Sequence, residues 1–161
     1  MTPPLYVAVC GPGHASDEET GWAEEIGRLL ARSGAVVVCG GLAGVMEAAA
    51  RGAKSEGGLS VGLLPGSDRS EAAKELTIAL PTGIGETRNT LLVRAVDALI
   101  AVGGEFGTLS EIALALRMGV PVVGLSTWEL HKHGERVSAF VEAATPQEAV
   151  EKALALAAER V

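Results

Sequence analysis

The chain has 161 residues, of which 48% are hydrophobic, 20% charged and 3% aromatic, with a formal net charge of −7. That length fits one domain with a single core, and so few aromatics leave Val, Leu, Ile and Ala to build it. No basic stripe offsets the negative charge, which argues against broad electrostatic binding to nucleic acid or anionic lipid. No segment approaches ~18 consecutive apolar residues, and no charged-then-apolar leader opens the chain, so a cytoplasmic protein is expected. Asn89 is the only asparagine and Gln147 the only glutamine, a shortage of thermolabile amides that fits a heat-tolerant source.

Leu5 to Val9 reads as a first strand, ending in Cys10-Gly11-Pro12-Gly13-His14. Trp22, Ile26, Leu29 and Leu30 then fall on one face of a helix that stops near Gly34. Ala35 to Val38 forms a second strand before Cys39-Gly40-Gly41, and a small-residue helix follows with Val45, Met46, Ala49, Ala50 and Ala53 toward the sheet. Leu59 to Leu64 is a third strand, and Ser67 to Lys74 a loop or short helix. Leu76 to Leu80 is a further strand closed by Pro81.

A helix is predicted from about Gly85 to Ala95, with Leu91, Leu92 and Ala95 inward. The apolar strand Ala98 to Val102 meets a helix beginning near Leu109, whose stripe is Leu109, Ile112, Ala113 and Leu116. Gly119 caps that helix, and Val120 to Leu125 returns as a strand. After the polar stretch Ser126 to Arg136, Val137 to Val141 is a last short strand. Thr145-Pro146-Gln147-Glu148 then opens the terminal helix with a cap, a first-turn proline and a capping-box glutamate. Strands alternating with amphipathic helices predict a single-domain, Rossmann-like three-layer α/β fold with a mostly parallel sheet.

In such folds the ligand lies beyond the carboxyl ends of the strands, where the glycine turns that follow the strands fall. Gly11 and Gly13, then Gly40, Gly41 and Gly44, then Gly103, Gly104 and Gly107 would line one crevice. None of the three turns matches G-x-G-x-x-G. The end of the second strand lacks the acidic residue a dinucleotide ribose needs, and no G-K-[ST] occurs. A nucleotide-sized phosphate ligand is the expectation, held by backbone amides at a helix N-terminus with Thr108.

Glu111 carries two readings. Thr108-x-x-Glu111 has capping-box spacing, so the carboxylate could hold the Thr108 backbone; alternatively it faces the ligand. Arg88 favours the second, because a cation in the first turn of a helix opposes the dipole and needs a partner elsewhere. Cys10 and Cys39 read as buried free thiols, Trp22 and Trp128 as core or interface aromatics, and His131-Lys132-His133 as a surface loop rather than a metal pair. His14 follows the first strand and could face the crevice. No metal and no cofactor are expected.

Glu86-Thr87-Arg88-Asn89, followed by Gly104-Glu105-Phe106-Gly107-Thr108-Leu109-Ser110-Glu111, resembles the Lonely Guy family of nucleoside 5′-monophosphate phosphoribohydrolases, often mislabelled lysine decarboxylases. Gly40-Gly41-Leu42-Ala43-Gly44-Val45-Met46-Glu47 resembles the family's second glycine-rich segment, and the likeness runs from about Tyr6 to Val123. Its short bacterial branch is also similar to the molybdenum cofactor carrier proteins of plants and algae.

The resemblance implies catalytic roles for Arg88 and Glu111, a nucleotide-type phosphate ligand, and a homodimer or larger assembly. Two positions depart from the family pattern: Asn89 stands where its hydrolases carry lysine, and Gly103-Gly104-Glu105 replaces Pro-Gly-Gly. One positive charge is lost and one negative charge gained, which leaves hydrolysis and non-catalytic carriage of a nucleotide or pterin phosphate both open. No lysine of the chain lies in a glycine motif, so decarboxylation has no support.

Overall fold

The computed structural model describes residues 1–160. Its elements run β1 (Tyr6–Cys10), α1 (Asp17–Arg32), β2 (Val36–Cys39), α2 (Val45–Ser55), β3 (Ser60–Leu64) and β4 (Ile78–Pro81). A 3-10 turn at Gly85–Thr87 leads into α3 (Arg88–Arg94), β5 (Ala98–Val102), α4 (Phe106–Met118) and β6 (Val122–Leu125). The chain closes with β7 (His131–Lys132), β8 (Glu135–Arg136), β9 (Val141–Ala143) and α5 (Pro146–Arg160).

Seven strands form one sheet in the order β4-β3-β2-β1-β5-β6-β9, and every neighbouring pair is parallel. β7 and β8 make a separate antiparallel ribbon. Because β1 and β5 are covered on both faces they are nearly continuous apolar runs, and all five residues of β5 are fully buried. Side chains alternate across the sheet. Val7 and Val9 pack with α1, α2 and α5, whereas Ala8 and Cys10 pack with α3 and α4. The sheet is thus a middle layer between two helical layers.

The chain leaves β1 toward β2, β3 and β4 on one side, and resumes at β5 on the other side of β1. α1, following β1, lies on one face and α4, following β5, on the opposite face. The two loops diverge at this switch point, the place where a ligand is expected in such folds.

Several expected details shift. α3 buries Leu92 and Val93, while Leu91 is 47% exposed and Ala95 is also at the surface. The cause is the 3-10 turn, which rotates the following α-helix relative to a continuous helix from Gly85. On α4 the inward positions are Ile112 and Ala115, and Ala113 is exposed. β9 occupies Val141–Ala143 rather than Val137 to Val141, because the chain pairs with β6 only from Val141 onward. At α5, Thr145 Oγ1 accepts from the Glu148 amide at 3.1 Å as expected, but the Glu148 carboxylate takes the Ala144 amide at 2.9 Å instead of that of Thr145.

Candidate functional site

α4 begins at Phe106, three residues before its expected start, with Glu105 as N-cap. That placement decides the capping question. Thr108 lies inside the first turn, no side chain caps the helix, and Glu111 sits one turn further in. The Leu109 amide is the first to find an intrahelical acceptor, the Glu105 carbonyl at 3.0 Å. The amides of Phe106, Gly107 and Thr108 are therefore left for an outside acceptor, at the positive end of a 13-residue helix.

Glu111 is 9% exposed and faces the α3–α4 layer beneath that turn. Burial pushes its carboxyl up to about 6, against the opposing pull of a hydrogen bond from the Cys10 thiol and the charge of Arg88. Burial, and then the neighbouring Glu111 carboxylate, hold the Cys10 thiol well above its ordinary value. Burial also pushes Cys39 up to about 11. Both cysteines are free and buried, so they remain protonated and unreactive at neutral pH.

Arg88 is the first residue of α3 and only 4% exposed. Its Nη1 donates to Asn89 Oδ1, while Nη2 comes within 2.8 Å of where a side chain on Gly40 would begin. Gly40 thus makes room for the guanidinium at the end of β2. Arg88 Nε is buried with no partner, and among the described residues no carboxylate lies within 4.0 Å of the guanidinium. Asn89 Nδ2 donates to Ser110 Oγ at 3.0 Å, and that hydroxyl donates to the Gly107 carbonyl at 2.7 Å. Arg88 is in this way tied through Asn89 and Ser110 to the first turn of α4.

The glycines divide by what surrounds them. At Gly11 a Cβ would lie 2.6 Å from the Val102 carbonyl, at Gly44 it would run into Pro12, and at Gly41 it would lie 2.6 Å from Leu64. These three let the strand ends and loops approach one another. Gly13 and Gly107 border open space. Gly103, at φ +58, turns the chain out of β5 against Glu19, and a Cβ on Gly104 would lie 2.7 Å from the Trp128 indole nitrogen. The Glu105 side chain is exposed, and its carbonyl accepts from Trp128 Nε1 at 3.2 Å.

Trp128, expected as a core or interface aromatic, is half-buried against the α3–α4 side of the core and also borders the site. It follows β6 on the same edge of the sheet and stacks on Phe106, with ring centroids 5.8 Å apart. Its position directly after a parallel strand was the available signal. Ser16-x-x-Glu19 was likewise legible as a capping box, and both of its hydrogen bonds are present at the start of α1. His14 is exposed, and His131 pairs with Glu129 in the surface ribbon. Among the described residues no group of His, Cys, Asp or Glu could hold a metal ion, and no helix is long and apolar enough to cross a membrane.

A doubly wound, fully parallel sheet with a glycine-lined switch point defines a Rossmann-like α/β protein. The profile of the SLOG cluster4 family matches residues 4–152, and the chain belongs to that family, within the superfamily that includes Lonely Guy-like proteins. An uncharacterised protein of Archaeoglobus fulgidus is 43% identical over 122 residues, 75% of this chain and 80% of that protein. The molybdenum cofactor binding protein from the phototrophic bacterium Rippkaea orientalis is 32% identical, with a TM-score of 0.87 over 97% of this chain and 99% of that one.

The molybdenum cofactor carrier protein from Chlamydomonas reinhardtii is 30% identical, with a TM-score of 0.83 over 97% and 99% of the two chains. DNA processing protein A from Helicobacter pylori is 21% identical, with a TM-score of 0.72 over 94% of this chain and 81% of that one, a likeness of fold alone.

Proposed function

We propose that the chain binds a phosphate-bearing pterin or nucleotide ligand at the switch-point crevice, in the manner of a molybdenum cofactor carrier. The observation that carries this reading is Arg88: a buried guanidinium with an unpartnered Nε and no carboxylate within 4.0 Å, beside the uncapped turn of α4. Burying a cation with no carboxylate in contact is costly even with Glu111 nearby, and an incoming anion offsets that cost. The Phe106, Gly107 and Thr108 amides and the Thr108 hydroxyl would hold the phosphate, with Arg88 neutralising it. Gly11, Gly13, Gly40, Gly41, Gly44, Gly103 and Gly104 would shape the crevice around it. The near full-length likeness to two molybdenum cofactor binding proteins supports the ligand class.

A second reading is favoured by Glu111. A carboxylate buried to the point of a raised pKa is poised for chemistry. It could stabilise an oxocarbenium-like ribose or orient water, so that a nucleoside 5′-monophosphate and water give free base and ribose 5-phosphate.

A panel of nucleoside monophosphates and pterin phosphates separates the two, with melting temperature and chromatography read on the same samples. Stabilisation without release of base identifies carriage. Free base identifies hydrolysis. A melting temperature unmoved by every member, with no base released, would overturn both. We further propose that the protein acts as a homo-oligomer.

A further inference from the structure

Beside the anion turn lies a cavity of about 330 Å³ lined by Glu19, Gly103, Gly104, Ser126, Thr127 and Trp128. Four of its features have no role in the phosphate cradle. Trp128 presents its indole to the cavity and is backed by Phe106, which is itself 80% exposed. Thr127 Oγ1 is buried with no hydrogen-bond partner. Ser126 is held at φ +49, a left-handed conformation that a non-glycine residue adopts at a cost and that clusters at ligand sites. Glu19 spends Oε2 on the Ser16 amide at 3.0 Å, while Oε1 lies against Gly103 with no donor among the described residues.

An aromatic plane, a spare carboxylate oxygen and an orphan hydroxyl around one volume suit a flat heterocycle with hydrogen-bonding edges. The carboxylate selects which heterocycle. A 2-amino-4-oxopyrimidine edge, shared by guanine and pterin, offers a ring N–H next to an amino group, both donors. Adenine presents an unprotonated ring nitrogen there, which would set a lone pair against Glu19.

We propose that this cavity is the ring subsite of the ligand and that Glu19, Thr127 and Trp128 select a 2-amino-4-oxopyrimidine ring over adenine. The inference rests on the phosphate-ligand reading above: the phosphate lies at the first turn of α4, and the ring lies on the Gly103–Gly104 side of the same turn. Trp128 stacks on the ring, Glu19 Oε1 accepts from its donor edge, and Thr127 supplies the remaining hydrogen bond.

Calorimetric titration with guanosine 5′-monophosphate, neopterin monophosphate, adenosine 5′-monophosphate and ribose 5-phosphate tests this on the wild type, Glu19→Gln and Trp128→Ala. The guanine and pterin ligands should bind about tenfold or more tightly than the adenine ligand, as expected for a hydrogen bond to a charged group. The tighter of the two names the ring source. Glu19→Gln should erase the preference without lowering the melting temperature, because glutamine also completes a capping box. Trp128→Ala should weaken all three ring ligands about tenfold and leave ribose 5-phosphate unchanged. Equal affinity for guanine and adenine ligands, unmoved by Glu19→Gln, would overturn the ring subsite while ribose 5-phosphate binding preserved the phosphate reading. Failure of all four ligands to bind would overturn both.

Discussion

Glu111 takes up its proton near pH 6 in the folded protein, above the ordinary carboxylate value of 4.5. Between those two values the folded state binds more protons than the unfolded chain, so stability falls as pH rises from 4.5 to 6 and levels off above. The contribution lost is on the order of 2 kcal/mol. Glu111→Gln keeps the shape and the Cys10 contact, and removes the charge. We predict that thermal melts of this variant lose that slope and that it is the more stable protein at pH 7; an unchanged slope would place the titration elsewhere.

A residue whose ionisation weakens the fold at neutral pH fits a role in ligand binding or chemistry better than one in capping. The sequence alone left this open, because Thr108-x-x-Glu111 is sound capping spacing. Only the start of α4 at Phe106 separates the two readings, and helix starts are set by tertiary fit as much as by local residues. Arg88 was legible through its conflict with the dipole of α3. The contact of Asn89 with Ser110 was not, since it joins residues 21 apart in sequence.

At the scale of elements, the apolar runs and glycine stops were enough to place the five inner strands β1, β2, β3, β5 and β6, because each is largely buried and bounded by a turn. Faces of short helices were less legible. In α3 a single 3-10 turn moved Leu91 outward, and no periodicity in seven residues reveals that.

The packing of α1 on α2 was also hidden. Gly27 and Gly52 sit where the two helices touch backbone to backbone, and a Cβ at Gly52 would run into the Glu24 carbonyl. Gly52→Ala must push the helices apart, and this outweighs the gain in helix propensity. The expected loss is ~1–3 kcal/mol. Thermal melting should show a drop of several degrees; a melting temperature raised by the substitution would contradict the close packing.

Across the whole molecule, strand order is what brings three separate glycine turns side by side at one edge of the sheet. Parallel pairing followed from the alternation of strands and helices, but the reversal between β1 and β5 is a property of the assembled sheet. Leu91 is exposed on α3, and α4, which packs against α3, carries the partly buried Leu114 and Met118. An apolar face of this kind suits a second copy of the chain. Light scattering after size exclusion should give a mass of at least twice 16.4 kDa, reduced by Leu91→Glu; a wild-type monomer at micromolar concentration would contradict the oligomer.

In the proposed function a phosphate-bearing ligand sits on the first turn of α4 with Arg88 as its buried counter-charge. Titration of isolated molybdenum cofactor into the wild type and into Arg88→Gln, followed by calorimetry, tests it most directly. Saturable binding by the wild type, weakened at least about tenfold by the substitution in a protein that still melts cooperatively, is the predicted result. Equal affinity in the two proteins, or no binding by the wild type, would contradict it.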